Sequence, residues 1–252
     1  MPNNQRIKVH SLFLSDLHIM CKYFQADKLL KFLRNIDTEN LFLVGDIIDG
    51  YKMKKGIYWT DTYTLILRRI AGMIKDGTKV FYITGNHDEF LRKFSPNSFG
   101  HIYLLDEYVY KTIDGRQLLI IHGDMFDRLV EMKWLYYFGD YAYSLAMYIN
   151  KIYNLIRKKL GLPYWSLSLM LKKNIKGAIN FISDFEHYLA IYAKSKKCDG
   201  VVCGHIHVAS IKNIHEIDYY NPGEWQDGCY AIVEHLDGRF ELVSEHFGNF
   251  NG

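Results

Sequence analysis

The sequence predicts an α/β body interrupted by a helical insertion. Short apolar, β-favouring runs alternate with helical patterns through the first half, which argues for βαβ units and a largely parallel central sheet. From about Leu129 to Ala193 that alternation stops, and it returns after Asp199. The β runs also end, one after another, in Asp, Asn and His, a composition that independent turns have no reason to share.

The first strand is read in "HSLFLSD" (10–16), followed by a helix from about Gln25 to Asn35. "NLFLVGD" (40–46), a helix from about Asp61 to Lys75, and "KVFYITGN" (79–86) continue the pattern. "IYLLD" (102–106) and "YVYKTID" (108–114) follow, and Asp114-Gly115 predicts a hairpin into "QLLIIHGD" (117–124). Two or three helices fill the middle, broken near "GLPYW" (161–165) by Gly and Pro. "DGVVCGHIH" (199–207), "IDYYN" (217–221), "CYAIVEH" (229–235) and "FELVSEH" (240–246) restore the strands. The expected division is one discontinuous core, 1–128 and 197–252, with an inserted helical cap over 129–196.

A chain of 252 residues can bury a full core, and 49% apolar with 23% charged residues excludes a disordered chain. Cys21, Cys198, Cys203 and Cys229 form no CxxC pair, so neither a zinc ribbon nor a disulfide framework is expected, and reduced thiols suggest the cytoplasm. "MPNNQRIKVH" lacks the apolar core of a signal peptide. The nearest approach to a membrane span, Trp134–Ile149, is interrupted by Asp140 and closed by Lys151. The net charge of +3 is unevenly placed: Glu131 to Lys176 holds eight Lys/Arg against two acids, so the basic character belongs to the insertion.

Five β runs end in metal-ligand types: "SDLH" (Asp16, His18), "GDIID" (Asp46, Asp49), "GNHD" (Asn86, His87, Asp88), "IHGD" (His122, Asp124) and "GHIH" (His205, His207). Taken singly, each is a hydrogen-bonded turn. Strand C-terminal ends of an open α/β sheet converge on one edge, so together the five predict a metal centre. Imidazole with carboxylate favours Mn, Fe or Zn over an all-oxygen Ca site. Two such ions about 3.5–4 Å apart clamp phosphoryl oxygens and acidify water for in-line attack.

In this order the five motifs resemble the calcineurin-like metallophosphoesterase superfamily. The resemblance implies a four-layer α/β/β/α sandwich with an inserted helical lid, and a centre of two divalent ions, Mn foremost with Fe, Zn and Mg as alternatives. It implies that Asp16, His18 and His207 hold the first ion, that Asn86, His122 and His205 hold the second, and that Asp46 bridges them. His87 would stand beside the ions as charge stabiliser or proton donor, oriented by Asp49, while Asp88 and Asp124 would cap loops.

Within the superfamily the chain resembles the UDP-2,3-diacylglucosamine diphosphatases of lipid A biosynthesis, on "GDIIDG", "GNHDEFLR", "LGLPYWSLS" and "GHIH" across about residues 10–235. That implies Mn-dependent hydrolysis of a nucleotide-linked acylated sugar to UMP and the acylated sugar 1-phosphate, at the cytoplasmic membrane face. The lid would then hold acyl chains, and its cations, among them Arg157 to Lys159 and Lys172, Lys173 and Lys176, would meet phosphate or an anionic bilayer. The chain departs from the best-known branch in carrying His87 in place of Arg, and "IMCKYF" (19–24) lacks the usual Gly and Arg. It looks closer to a His-bearing paralogous branch.

Competing readings are a phosphodiesterase or phosphatase for another nucleotide or membrane-associated phosphoester, and a metal-stabilised membrane-surface scaffold without catalysis. The filled motif positions argue against the scaffold. No nucleic-acid-binding motif is present, so no nucleic-acid partner is expected, and the oligomeric state stays open. "YKMKK" (51–55), Tyr58 and Trp59 read equally as pocket lining or as an exposed loop.

Overall fold

The computed structural model describes residues 6–54, 56–128, 151, 153–161, 176–245 and 247. Most of the expected insertion, including Trp134–Ile149, Leu162–Trp165, Lys172 and Lys173, lies outside the described residues. The chain forms two compact units. One comprises residues up to Asp124 together with Ala190 onward, and the other is Met125–Leu189.

The first unit begins with β1 (Ile7–Leu14), α1 (Ala26–Arg34), β2 (Ile36–Val44), the single turn α2 (Gly50–Met53), α3 (Asp61–Lys75) and β3 (Lys79–Ile83). After a 3₁₀ turn (Glu89–Phe94) come β4 (Asn97–Phe99), β5 (Ile102–Leu105), β6 (Glu107–Lys111) and β7 (Gln117–Ile121). The last turns of α4 (Lys176–Ser195) lead into β8 (Gly200–Val202), β9 (Ser210–Ile214), β10 (Ile217–Asn221), β11 (Tyr230–Glu234) and β12 (Phe240–Ser244). Both long helices of the first half carry an apolar stripe: Leu29, Leu30, Phe32 and Leu33 on α1, and Tyr63, Ile66 and Met73 on α3.

Instead of one largely parallel sheet there are two mixed ones. The seven-stranded sheet runs β12-β11-β1-β2-β3-β5-β4 and the five-stranded one β6-β7-β8-β10-β9. Parallel pairing is confined to β1 through β3 with β5, and to β7, β8 and β10; the remaining neighbours are antiparallel. The Asp114-Gly115 turn joins β6 to β7 with Gly115 at φ +94°, as the sequence requires.

Period-two alternation sorts the core into layers. On β1, Leu12 and Leu14 face α1 and α3 while Phe13 faces the second sheet; Leu41 and Leu43 against Phe42 on β2, and Ala231 and Val233 against Ile232 on β11, repeat this. Between the sheets Phe13, Phe42, Phe81 and Tyr103 occupy paired register positions on four adjacent strands. Their rings stack at 4.6, 4.6 and 4.9 Å, a continuous cross-strand row. On the far side Tyr192, in the last turns of α4, donates to Glu107 at 2.8 Å. The first unit is therefore a four-layer α/β/β/α sandwich. In the second unit Phe181, Phe185 and Phe126 pack together, with ring separations of 6.2 and 6.4 Å.

Candidate metal centre

All nine site residues expected from the sequence lie just beyond the C-terminal ends of parallel strands. Asp16 and His18 follow β1, Asp46 and Asp49 follow β2, Asn86 and His87 follow β3, His122 follows β7, and His205 and His207 follow β8. The sandwich brings the ends of both sheets to one edge, and the backbone stitches them there. Asp16 and His18 N–H donate to Gly45 O and Asp46 O at 3.1 and 2.9 Å, His205 N–H reaches Asp16 Oδ2 at 3.0 Å, and His122 Nδ1–H donates to Val44 O at 3.1 Å.

Asp16, His18, Asp46, His205 and His207 all take a left-handed backbone, with φ between +47° and +71°. For residues other than glycine this costs roughly 1–2 kcal/mol each, and strain of this kind concentrates at functional sites. Close approach is equally demanding: a Cβ on Gly204 would overlap Ser15 Oγ and crowd Asp16 Oδ2 at 2.5 Å. The glycines of "GD", "GN" and "GH" leave room for neighbouring ligands, a role that sequence reading assigned only to turns.

Three ligand groups form within the described residues: Asp16, His18 and His207; Asp16, Asp46 and His122; and His18, Asp49 and His87, each with its ligand atoms within 4.8 Å of one another. In the first, His207 Nε2 lies 3.1 Å from Asp16 Oδ1 and 3.4 Å from His18 Nε2. Asp46 Oδ2 is central, 3.9 Å from His18 Nε2, 3.4 Å from His122 Nε2 and 3.9 Å from His87 Nε2. Asn86 Oδ1 stands 3.3 Å from His122 Nε2, and the His205 ring is 5.1 Å from that of His122.

These atoms fit cations. Nδ1–H of His122 is used on Val44 O, so its Nε2 points at Asp46 Oδ2 and Asn86 Oδ1, and two oxygen acceptors turned on that nitrogen call for positive charge there, which a proton on Nε2 supplies until a cation takes its place. Burial pushes the His122 imidazolium down, yet the Asp46 carboxylate, through charge and hydrogen bond, and Asp16 beyond it raise its pKa to about 10. His18 and Asp16 are already in ligand form. Burial and the neighbouring His87 and His207 lower His18 to about 4 against the pull of Asp46, so its imidazole is neutral. Burial raises Asp16, but His207 and His122 outweigh it and hold the carboxyl near 2.

His87 differs. Burial lowers its pKa, but the hydrogen bond to Asp49 and the charge of Asp46 overcome this and raise it. Its Nδ1 lies 3.2 Å from Asp49 Oδ1, which fixes the ring and leaves Nε2 toward the cluster. Asp88 and Asp124 bind loops. Asp88 accepts from Ile47 N at 3.0 Å and Tyr82 Oη at 2.7 Å, and both Asp124 oxygens accept from Arg92 Nη2 at 2.8 Å. The Tyr51 ring stands 4.8 Å from that of His87, on the pocket side of the two readings open for "YKMKK", while Arg92 closes the "GNHDEFLR" motif without a role of its own in the sequence reading.

Residues 9–209 match the calcineurin-like phosphoesterase family profile. The chain belongs to this family. The chain is 30% identical over 122 residues to the UDP-2,3-diacylglucosamine hydrolase of Aliivibrio fischeri, covering 45% of this chain and 47% of that protein. It is 24% identical over 253 residues to the DNA polymerase II small subunit of Pyrococcus furiosus, covering 87% of this chain and 38% of that one. The match thus spans about half the length of the first curated relatives, or less. Among solved structures, a protein of Streptococcus pneumoniae described as a predicted phosphoesterase aligns at TM-score 0.40 and 14% identity, covering 94% of this chain and 90% of that one. The family is one of metal-dependent phosphoesterases, and the ligand groups at the sheet edge are candidate positions for divalent ions.

Proposed function

We propose that this phosphoesterase hydrolyses the pyrophosphate of UDP-2,3-diacylglucosamine to UMP and 2,3-diacylglucosamine 1-phosphate. The observation that carries hydrolysis is the convergence of His122 Nε2, Asp46 Oδ2 and Asn86 Oδ1 beside a His87 whose Nδ1 is held by Asp49 and whose Nε2 faces Asp46. The substrate is supported by likeness to three hydrolases named for it, at about 30% identity.

Asp16, His18 and His207 would hold one divalent ion, Asn86, His122 and His205 the other, and Asp46 both; Mn is preferred, with Fe, Zn and Mg as alternatives. Bound there, the ions supply Lewis-acid polarisation of phosphoryl oxygens and lower the pKa of water. The residues do the rest. Water attacks the phosphorus next to uridine, the bond to the sugar phosphate breaks, and His87 Nε2 gives its proton to the departing oxygen while Asp49 holds the ring.

The described part of the insertion supports an acylated substrate. Residues 153–161 expose Leu155, Ile156 and Leu160 in one run with Arg157, Lys158 and Lys159, apolar surface beside cations. Such a surface suits acyl chains and anionic headgroups, and the proposed setting is the cytoplasmic membrane face, reached peripherally. No helix among the described residues is long and apolar enough to cross a membrane. A nucleic-acid phosphodiester is the second reading, favoured by the likeness to DNA polymerase II small subunits over 87% of the chain.

The test is UMP release from UDP-2,3-diacylglucosamine by metal-stripped protein with and without Mn, beside an aryl phosphodiester and a single-stranded oligonucleotide. Mn-dependent UMP release well above both controls supports the proposal. Cleavage of the oligonucleotide or aryl diester alone transfers the site to another phosphoester.

A further inference from the structure

α2 and the loop that follows it keep four large apolar side chains in water. Ile57 is 70% exposed, the highest value among the large apolar side chains of the described residues, and Tyr58, Trp59 and Tyr51 are 53, 44 and 43% exposed. Four such groups within nine residues are more than a solvated loop requires, and contiguous apolar surface of this kind marks an interaction site.

The loop is built to hold them outward. Its entry is fixed where the Asp49 side chain accepts Lys52 N–H at 3.0 Å, and its exit where Thr60 Oγ1 accepts Tyr63 N–H at 3.4 Å. Trp59 and Tyr58 rest their edges on the buried Tyr63 ring at 5.6 and 6.3 Å, and Trp59 Nε1–H donates to Thr64 Oγ1 at 2.9 Å. The indole is thereby anchored at its base, and Ile57 is raised beyond it. The charge is of one sign: from Tyr51 to Thr60 the sequence has three lysines and no acid, and Lys54 Nζ stands 5.8 Å over the Tyr51 ring.

Amphipathic rings, an aliphatic tip and flanking lysines match the interfacial zone of an anionic bilayer, where rings sit at headgroup depth and cations meet lipid phosphates. We propose that α2 and the side chains of Ile57, Tyr58 and Trp59 beyond it are a membrane-docking element of the first unit, which inserts Ile57, Tyr58 and Trp59 between anionic lipid headgroups. The Tyr51 ring at its root lies 4.8 Å from His87, so docking presents the catalytic edge to the bilayer surface. The inference deepens the reading above and rests on it for the substrate alone, since lipid binding requires no turnover.

The experiment is co-sedimentation of the full chain with vesicles of phosphatidylglycerol and phosphatidylcholine, or of phosphatidylcholine alone, and sedimentation velocity without lipid. Wild type is expected to bind the anionic vesicles and not the zwitterionic ones. Ile57→Asp should lower the partition constant roughly tenfold or more, and neutralising Lys52 and Lys54 to Gln should lower it about fivefold per lysine. All variants should hydrolyse an aryl phosphodiester at the wild-type rate. Binding by Ile57→Asp equal to wild type would overturn the proposal, as would no wild-type binding to anionic vesicles. A wild-type dimer that Ile57→Asp dissociates would overturn it too, by assigning the loop to a second copy. Failure of UMP release with vesicle binding intact would reject the substrate and leave the docking element standing.

Discussion

Gly85 and Asp46 share one volume: a Cβ on Gly85 would overlap Asp46 Oδ1 and approach Asp46 N at 2.5 Å. Asp46 Oδ1 also accepts His87 N–H at 2.8 Å, so its carboxylate is held by the loop after β3 on one side and faces His122 on the other. Gly85→Ala is expected to displace that carboxylate without unfolding the sandwich. Elemental analysis after dialysis against Mn should find the ion content reduced by half or more, with an unchanged far-ultraviolet circular dichroism spectrum. Full ion content in this variant would show that Asp46 is not a ligand.

His87→Ala tests the division between holding ions and moving a proton. His87 is raised in pKa and tied to Asp49, so its loss should lower turnover roughly 10²–10⁴-fold. Ion content should stay at the wild-type level. A parallel fall in ion content would make His87 a ligand, as its grouping with His18 and Asp49 also allows.

Chelation should soften the fold. Asp16, Asp46 and Asp49 are buried within one cluster, and five residues there hold left-handed backbones. Ions that bind only the folded chain add about 2.7 kcal/mol at a hundredfold excess over Kd. Thermal unfolding with EDTA should therefore begin several degrees lower than with Mn, and restoring Mn should reverse the shift. Coincident curves would mean that no ion binds the folded form appreciably.

The core row makes a stability prediction away from the site. Phe42 is fully buried and stacks on Phe13 and Phe81, both at 4.6 Å. Phe42→Ala should cost about 3–5 kcal/mol in urea unfolding. A loss below about 1 kcal/mol would show that the sheets close over the gap.

The site was more legible in the sequence than the sheets around it. Strand ends loaded with Asp, Asn and His carry their own signal, and the fold brings all nine residues to one edge. The second sheet was not separable, because Leu118 to Ile121 and Val201 to Val202 are apolar on both faces and alternation cannot assign a partner. β9 was missed because "SIKNI" is a largely exposed edge strand, and its turn into β10 uses His215 and Glu216 at φ +51° and +70° where glycine would have announced it. The start of β2 was hidden by Asp37, Thr38 and Asn40, which pair with β1 although polar. Arg92 was invisible as a clamp because its partner Asp124 lies beyond four intervening strands.

The most direct test of the account is the number of divalent ions bound by metal-stripped protein on titration with Mn, in wild type and in Asp46→Ala, read by equilibrium dialysis with elemental analysis. The account predicts two ions per wild-type chain, and loss of at least one together with aryl phosphodiester hydrolysis in Asp46→Ala, since Asp46 Oδ2 lies within 3.9 Å of His18, His87 and His122. Two ions retained by Asp46→Ala, or none bound by wild type, would contradict it.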